Sequence, residues 1–435
     1  MRNIRIGLIG CGVVGQGIMR LLKENAASIE ARLGGTIEVR RIAARSPNRD
    51  RGPYVPKHLL TYDPEEVVND PSVEVVVEVA GGVEPTYGYL KRALEGGKSV
   101  VTANKALLAA RGHELIELAE ARGADLYFEA AVAGGVPVIR VLREAFASDR
   151  IVAVRGIING TSNYILSRMT ESGIEFGPAL KEAQDAGYAE ADPTLDIGGG
   201  DAAHKLTILA TLAYGAKLDL AQISTTGIDQ VSALDIRFAA RFGFVIKPLA
   251  IARALDDGSL DLRVQPTLVS KKSVLASING ALNAVYIEGA AVGPCLLSGF
   301  GAGALPTAVS VVSDIVDVGR NFHSSSGGRV PQRSFRGDRV TVPRVQDITE
   351  HRGRYYLRFS VPDRSGLLGR LASALGNHDV SIEQMVQEGH ETSDPVAVVM
   401  LTHPANEGNV RRALSEISSL DLVVAPPRAL RIETL

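Results

Sequence analysis

The opening run Ile4-Arg-Ile-Gly-Leu-Ile-Gly-Cys-Gly-Val-Val-Gly narrows the fold more than any other segment. Gly10, Gly12 and Gly15 fit G-x-G-x-x-G, and the apolar residues ahead of them read as a buried strand. A helical pattern (Ile18, Met19, Leu21, Leu22) follows, and a second strand pattern comes at residues 37–44. In such a unit the first glycine makes the turn and the second lets the backbone approach a pyrophosphate. The third lets helix and strand pack closely, and the helix N-terminus faces the negative charge. A Rossmann-type dinucleotide-binding domain is expected, with Gly10, Cys11, Gly12, Val13, Val14 and Gly15 along the cofactor. The bland alternative is a glycine-rich turn with no ligand.

An NAD-selective site places an acidic residue near the end of the second strand. This chain has Arg45 there, with Arg49 and Arg51 beyond it. Guanidinium groups suit a 2′-phosphate, so NADP is expected, with NAD possible. Strand patterns at residues 73–79, 99–101 and 125–129 extend the sheet. Gly81 follows the first in a flexible turn. Asn104 and Lys105 follow the second, outside the carboxyl end of a strand, where ligands bind in such sheets. Lys105 is thus a candidate for the cleft.

Asn159-Gly-Thr-Ser-Asn is followed by a segment with Glu190, Asp192, Asp196 and Asp201, three consecutive glycines (Gly198 to Gly200) and then Lys205. Asp201 and Lys205 are spaced i, i+4, on one face of a helix starting at the glycines. Leu206, Ile208, Leu209 and Leu212 anchor that helix in a core. The pattern reads as a polar site on a rigid support, against the plainer possibility of a solvated acidic loop. Asp192, ahead of a proline, and His204 have open roles.

With 435 residues, two to three domains are expected. A net charge of −2 argues against nucleic acid or an anionic membrane as partner. Two cysteines make no disulfide framework, which points to a reducing cytoplasm. No signal-peptide pattern opens the chain and no apolar run is long enough to cross a bilayer. The fold class is α/β. A nucleotide domain spans residues 1–134. An α+β substrate and dimerisation domain spans 135–320, of which 301–320 return to the nucleotide domain after a second glycine loop with Gly301 and Gly303. A Ser/Gly/Arg-rich linker covers 321–350. Residues 351–435 follow β-α-β-β-α-β order, a ferredoxin-like plan, separable enough that a cut near residue 350 is expected to leave an active enzyme.

Together these residues resemble homoserine dehydrogenase along the whole chain, with a C-terminal ACT domain. The resemblance implies reversible NAD(P)H-dependent reduction of L-aspartate 4-semialdehyde to L-homoserine, in threonine, methionine and isoleucine biosynthesis. It implies Lys205 and Lys105 as catalytic residues and Glu190, Asp196 and Asp201 as substrate ligands. Asn104-Lys105 matches the family's asparagine–lysine pair, and Gly301 and Gly303 are expected to line the cofactor. Phe128-Glu-Ala-Ala-Val-Ala-Gly-Gly-Val-Pro is similar to the family's monovalent-cation segment. That implies the Glu129 side chain with backbone oxygens of Val132, Gly134 and Val136, the ion being sodium. An ACT domain implies an amino-acid effector, expected to be threonine. Asp363, Gly366 and Leu367 would hold it, with Asn377 from a neighbouring copy of a homodimer or homotetramer. No aspartate kinase segment precedes the nucleotide domain, so the monofunctional form is expected. Ala80 departs from the family pattern, where a bulkier residue precedes Gly81. Another ACT-regulated amino-acid dehydrogenase and a non-catalytic nucleotide sensor are the alternatives, with metal-dependent hydrolysis at the aspartates a third.

Overall fold

Six parallel strands build the first layer of this computed structural model, which describes residues 3–46, 49–388, 395–420 and 423–434. They are β1 (Asn3–Ile9), β2 (Thr36–Ala43), β3 (Leu60–Thr61), β4 (Val75–Glu78), β5 (Ser99–Thr102) and β6 (Leu126–Tyr127), in the order β3-β2-β1-β4-β5-β6. This is the doubly wound order whose reversal beside the first strand opens a crevice for a dinucleotide. Helices α1 (Val13–Glu24), α2 (Ala26–Leu33), α3 (Pro64–Val68), α4 (Thr86–Glu95) and α5 (Lys105–Arg122) flank it. β4 reads Val-Val-Val-Glu and is wholly buried, as a central parallel strand covered on both faces must be.

Two of the three fingerprint glycines are dictated by contact. A Cβ on Gly10 (φ 103°) would lie 2.7 Å from the Ala80 nitrogen, and one on Gly15 would lie 2.5 Å from the Gly10 carbonyl oxygen. Above Gly12 there is open space.

After the short helix α6 (Val138–Arg140) the chain enters a second, mixed sheet through β7 (Ile151–Ile157). Helices α7 (Gly160–Ser172), α8 (Phe176–Asp185), α9 (Thr194–Ile197), α10 (Gly200–Tyr214) and α11 (Ala233–Arg241) follow, with β8 (Ser224–Thr225) between the last two. Then come β9 (Phe244–Ala254), β10 (Leu260–Ser270), β11 (Leu282–Gly289) and β12 (Gly293–Phe300). β12 is not among the strands expected from the sequence, and its last residues, Ser298 to Phe300, fall in the expected second glycine loop. β12 pairs with β11 along its length, from Leu282 opposite Phe300 to Gly289 opposite Gly293. Its glycines and proline hide a strand that tertiary pairing imposes. Helix α12 (Ala304–Ser324) then returns to the first domain, where Val311, Ile315 and Val318 share a core with Ile4, Leu8 and Ile18.

The tail comprises β13 (Arg352–Val361), α13 (Leu367–Asn377), β14 (Ile382–Glu388), β15 (Val396–Thr402), β16 (Ala405–Asn406), α14 (Glu407–Ser418) and β17 (Ala425–Glu433). Residues 421–422, where the sequence reading starts its last strand, lie outside the described residues. The order β17-β13-β15-β14 is the antiparallel ferredoxin-like sheet.

This sheet does not stand alone. β17 also pairs in parallel with β10, Leu268 facing Ile432, so one continuous sheet runs from β12 to β14. Tyr356, Val399, Leu401 and Ile432 of the tail share a core with Ile165, Leu166 and Met169 of α7 and with Ile236 and Phe238 of α11. The buried Asp235 of α11 accepts hydrogen bonds from the Tyr356 hydroxyl (3.0 Å) and from Arg358 Nε (2.6 Å).

The expected linker is likewise packed. Gln332 Nε2 donates to the Ala124 carbonyl (2.9 Å) and Arg333 NH2 to Glu120 Oε2 (2.8 Å), both partners lying at the end of α5. The Thr341 carbonyl accepts from the Lys217 amide (2.7 Å) and the Arg344 carbonyl from the Leu260 amide (2.9 Å). The tail is therefore not the separable unit that the linker reading expects. A cut near residue 350 would remove Tyr356 and Ile432 from a shared core and a strand from beside β10.

Candidate active site

Three helix starts, of α5, α7 and α10, and the end of β7 converge on the site. Asn104 caps α5, its Oδ1 accepting from the Leu107 amide (3.1 Å) while its Nδ2 donates to the Gly82 carbonyl (2.6 Å). Both polar ends of this buried side chain are thereby used on the backbone, which fixes Lys105 at the first turn of α5. Glu78, wholly buried at the end of β4, shapes the neighbouring turn: its carboxylate accepts from the Ala80 and Gly81 amides (2.8 Å each) and from the Thr102 hydroxyl (2.6 Å). Burial pushes the Glu78 carboxyl up, against those hydrogen bonds.

Opposite, α10 starts through Gly199 (φ 87°), a left-handed position where a Cβ would lie 2.9 Å from Thr225 Cγ2. The glycine run thus brings Asp201 into the interior at 3% exposure. Its Oδ2 accepts from Lys205 Nζ (2.7 Å) and Asn159 Nδ2 (2.8 Å), and its Oδ1 pairs with Lys105 Nζ (2.9 Å). Lys205 Nζ also donates to the Ile158 carbonyl (2.7 Å), one residue past the end of β7. Asn159 caps α7 by accepting from the Ser162 amide (2.7 Å), and its Nδ2 reaches Asp196 Oδ1 (2.7 Å) as well.

The electrostatics follow from this packing. Burial alone would raise Asp201, but the Lys205 and Lys105 ammonium groups overcome it and hold the carboxyl well below the usual carboxylate range. Burial disfavours charged Lys105, yet Asp201 beside it raises the ammonium above its ordinary value. Asp196 moves the other way: burial pushes it up, with the Asn159 hydrogen bond opposing and the Asp201 charge adding. His204 is lowered by burial, Asp201 opposing and the two lysines adding, and its ring Nδ1 is buried with no hydrogen-bond partner.

Lys105, Lys205, Asp196 and Asp201 are therefore brought together, while Glu190 is exposed on its loop. Asp192 closes the turn into α9, its Oδ1 accepting from the Thr194 hydroxyl (2.6 Å) and amide (3.1 Å). Asn159 and the Ile158 carbonyl join the site without having been singled out as ligands. The first lay in a motif already noted, but a backbone carbonyl leaves no mark in a sequence. Asp201's oxygens are occupied by cationic and amide donors, and the described residues contain no group of three or more His, Cys, Asp or Glu placed to hold a metal ion. That does not favour metal-dependent hydrolysis there.

A cleft of about 490 Å³ lies over the fingerprint, lined by Gly10, Cys11, Gly12 and Val13 on one side and Arg45, Arg49 and Arg51 on the other. Arg51 Nε donates to the Cys11 carbonyl (3.1 Å), bracing the glycine turn. Burial raises the Cys11 thiol above its ordinary value, with Arg51 opposing, which disfavours the thiolate. Gly303 is the N-cap of α12 and Gly301 lies two residues before it, where the start of α12 packs on Gly17 of α1; neither is among the residues that line this cleft.

Glu129 is buried, and its carboxylate accepts from the Ile139 and Arg140 amides (2.9 and 2.8 Å) at the start of α6. The Gly134 carbonyl accepts from the Ser310 hydroxyl (2.6 Å). Asp314, fully buried, accepts from the Glu129 amide (2.8 Å). Burial first, and then the Glu129 charge, push Asp314 up to about 8. Glu129, in a loop rich in carbonyl oxygens, with Asp314 of α12 beside it and partly countered by Arg140 (3.4 Å), would suit a hard monovalent cation.

Profiles of known families match all three parts: "Homoserine dehydrogenase, NAD binding domain" over residues 10–129, "Homoserine dehydrogenase" over 137–316 and "ACT domain" over 355–422. The homoserine dehydrogenase of Neisseria gonorrhoeae is 42% identical over 435 residues, all of both chains. The chain belongs to the homoserine dehydrogenase family. The Bacillus subtilis homoserine dehydrogenase is 38% identical over 100% of this chain and 99% of its own. Among solved structures, that of a homoserine dehydrogenase from Thiobacillus denitrificans superposes with a TM-score of 0.93 at 43% identity, covering 100% and 99% of the two chains. A hyperthermophilic archaeal homoserine dehydrogenase in complex with NADPH covers 73% of this chain and 98% of its own, at 27% identity and a TM-score of 0.61. The Rossmann domain, the nicotinamide cofactor class and the ACT domain of this homoserine dehydrogenase relative thus stand together with the lysine–aspartate geometry. Among the described residues, no helix is long and apolar enough to cross a membrane.

The ion pairs at Asp201 carry a pH signature. Its folded pKa lies below its unfolded value, so its stabilisation is complete above about pH 4 and is lost as pH falls through the folded value. Asp201→Asn is expected to lower stability at pH 7 by at least ~2 kcal/mol, a buried-pair loss discounted because Lys105 is over a third exposed. Urea unfolding of both proteins checks this: the difference should shrink below pH 4, and equal midpoints at pH 7 would remove the pair from the stability of the site.

Proposed function

We propose that the chain reduces L-aspartate 4-semialdehyde to L-homoserine, reversibly, with Lys205 as proton donor. The observation that carries this reading is the Lys205–Asp201–Lys105 triad, with a lysine from each side of the cleft on one buried carboxylate. The nicotinamide supplies a hydride to the aldehyde carbon when bound. Negative charge then grows on the aldehyde oxygen, which an ammonium group stabilises and protonates. Asp201 and the Ile158 carbonyl hold the Lys205 ammonium in place, and Lys105 provides a second positive charge at the mouth of the site. Substrate and product both carry an α-ammonium group, which suits Glu190 and Asp196, the carboxylates not bound to a lysine. A nucleotide sensor has no need of two lysines held on one buried aspartate. Another amino-acid dehydrogenase remains a second reading only at the level of substrate choice.

NADP is the proposed cofactor, supported by Arg45, Arg49 and Arg51 around the cleft and by the NADPH bound to the archaeal relative. Glu129 with the carbonyls of Val132, Gly134 and Val136 would hold sodium, neutralising the buried carboxylates. A homodimer or homotetramer is supported by β12, a sheet edge with Leu296 and Phe300 exposed. Threonine is the proposed effector, at a cavity of about 350 Å³ lined by Asp363, Gly366 and Leu367 where α13 begins. Asn377 ends α13 and would contribute from a neighbouring copy. We place this reaction in the biosynthesis of threonine, methionine and isoleucine, in the cytoplasm.

Lys205→Ala is expected to lower turnover by roughly 10²–10⁴, the weight of a positioned acid, with NADPH still bound by fluorescence titration. Near-normal turnover would end the assignment. Arg45→Asp is expected to move the kcat/KM preference from NADPH toward NADH by about tenfold to a hundredfold, a charged phosphate contact being worth ~1–3 kcal/mol. Equal efficiency of the unaltered enzyme with both cofactors would contradict that preference. Threonine should inhibit the full chain, and Gly366→Ala, placed on a left-handed backbone (φ 83°), should weaken that inhibition. Unaltered inhibition in the variant would put the effector elsewhere.

A further inference from the structure

The last strand of the tail ends in a buried cluster of charge that none of the catalytic chemistry uses. Glu433 of β17 is 5% exposed. Its Oε1 accepts from Arg155 Nε of β7 (2.9 Å) and from Arg253 of β9, and its Oε2 accepts from Arg263 NH2 of β10 (3.2 Å). Arg155 is 5% exposed and spans two carboxylates, its NH1 donating to Glu288 of β11 (2.8 Å). Asp261 pairs with Arg263 (3.2 Å). Three arginines thus face Glu433, Glu288 and Asp261. Glu433 is the member that touches all three arginines and the only one of the three carboxylates contributed by the tail.

Arg155 lies three residues before Ile158 on the same run of chain, a separation of about 10 Å in extended backbone. The Ile158 carbonyl accepts from Lys205 Nζ, and the next residue, Asn159, holds Asp201 and Asp196. The site therefore takes its position from the end of β7, and β7 is pinned at Arg155 by the tail.

We propose that Glu433 is a positioning residue for the reaction: through Arg155 it sets the end of β7, and with it the Ile158 carbonyl that aims the Lys205 ammonium. This rests on the reading of Lys205 as proton donor. Removing the Glu433 charge, which reaches Arg155 across β9 and β10, leaves Arg155 to be drawn toward Glu288 alone, on β11 directly beside β7. The strand end then shifts beneath Lys205, while the cofactor cleft, built on the separate parallel sheet, stays as it is. The ACT domain accordingly has a direct covalent and ionic route to the site, through its own last strand and three residues of another.

The test is Glu433→Gln in the full chain, with turnover per folded site measured beside the KM for NADPH. The expected result is a fall in kcat of tenfold or more with the KM for NADPH within twofold. Arg358→Ala serves as the control, since it breaks the Asp235 contact on the same seam without touching β7 and should lower the melting temperature while leaving kcat within twofold. Should Glu433→Gln fail to fold, Arg155→Lys carries the same expectation, because it keeps the charge but cannot bridge Glu433 and Glu288 together. An unchanged kcat in the folded Glu433 or Arg155 variant would overturn the proposal, as would an equal fall in Arg358→Ala. Lys205→Ala keeps the two readings apart: if it retains turnover the site assignment fails first, and if it loses turnover while Glu433→Gln does not, only this inference fails.

Discussion

A single buried carboxylate holds the two halves of the site together. Asp201 takes Lys205 from its own helix and Lys105 from the nucleotide domain, one on each oxygen. Stripping water from a carboxylate costs several kcal/mol unless cations and hydrogen-bond donors surround it. Asp201 has both lysines and Asn159. The pair therefore ties the closeness of the two domains to the charge state of the site. The same contact keeps Lys105 protonated, so electrostatics and geometry are set by one interaction.

Around that contact, each element is placed by a local device. Asn104 caps α5 and brings Lys105 to its first turn, while the glycine run opens α10 and buries Asp201. Asn159 caps α7 and bonds both aspartates. Helix caps usually satisfy loose backbone amides. Here two of the caps also position reactive groups, so helix starts and chemistry are specified by the same residues.

The ACT domain is joined to the rest by more than a connecting chain. A strand pairing between β10 and β17, a shared core under α7 and α11, and two buried ionic seams make it part of the catalytic framework. An effector acting on such a module has no loose hinge to work through. It must act by a difference in affinity between two packings of the same core.

Local pattern was enough for the nucleotide unit, because Gly10 and Gly15 answer neighbours only a few residues away or one strand over, while Gly12 leaves the turn open above it. The Asp201–Lys205 face was readable for the same reason, i, i+4 spacing being a property of the helix itself. The helices and the four main strands of the tail also followed from periodicity. Tertiary structure alone decided the rest. β12 is a strand because β11 lies beside it, despite glycines and a proline that argue locally for a loop. The segment after α12 reads as a linker by composition but is held by Gln332, Arg333 and Thr341 against distant partners. Lys105 meets Asp201 across 96 positions of sequence, and Glu433 meets Arg155 across 278. Contacts of that range depend on how whole sheets and helices stack, and no periodicity along the chain encodes them.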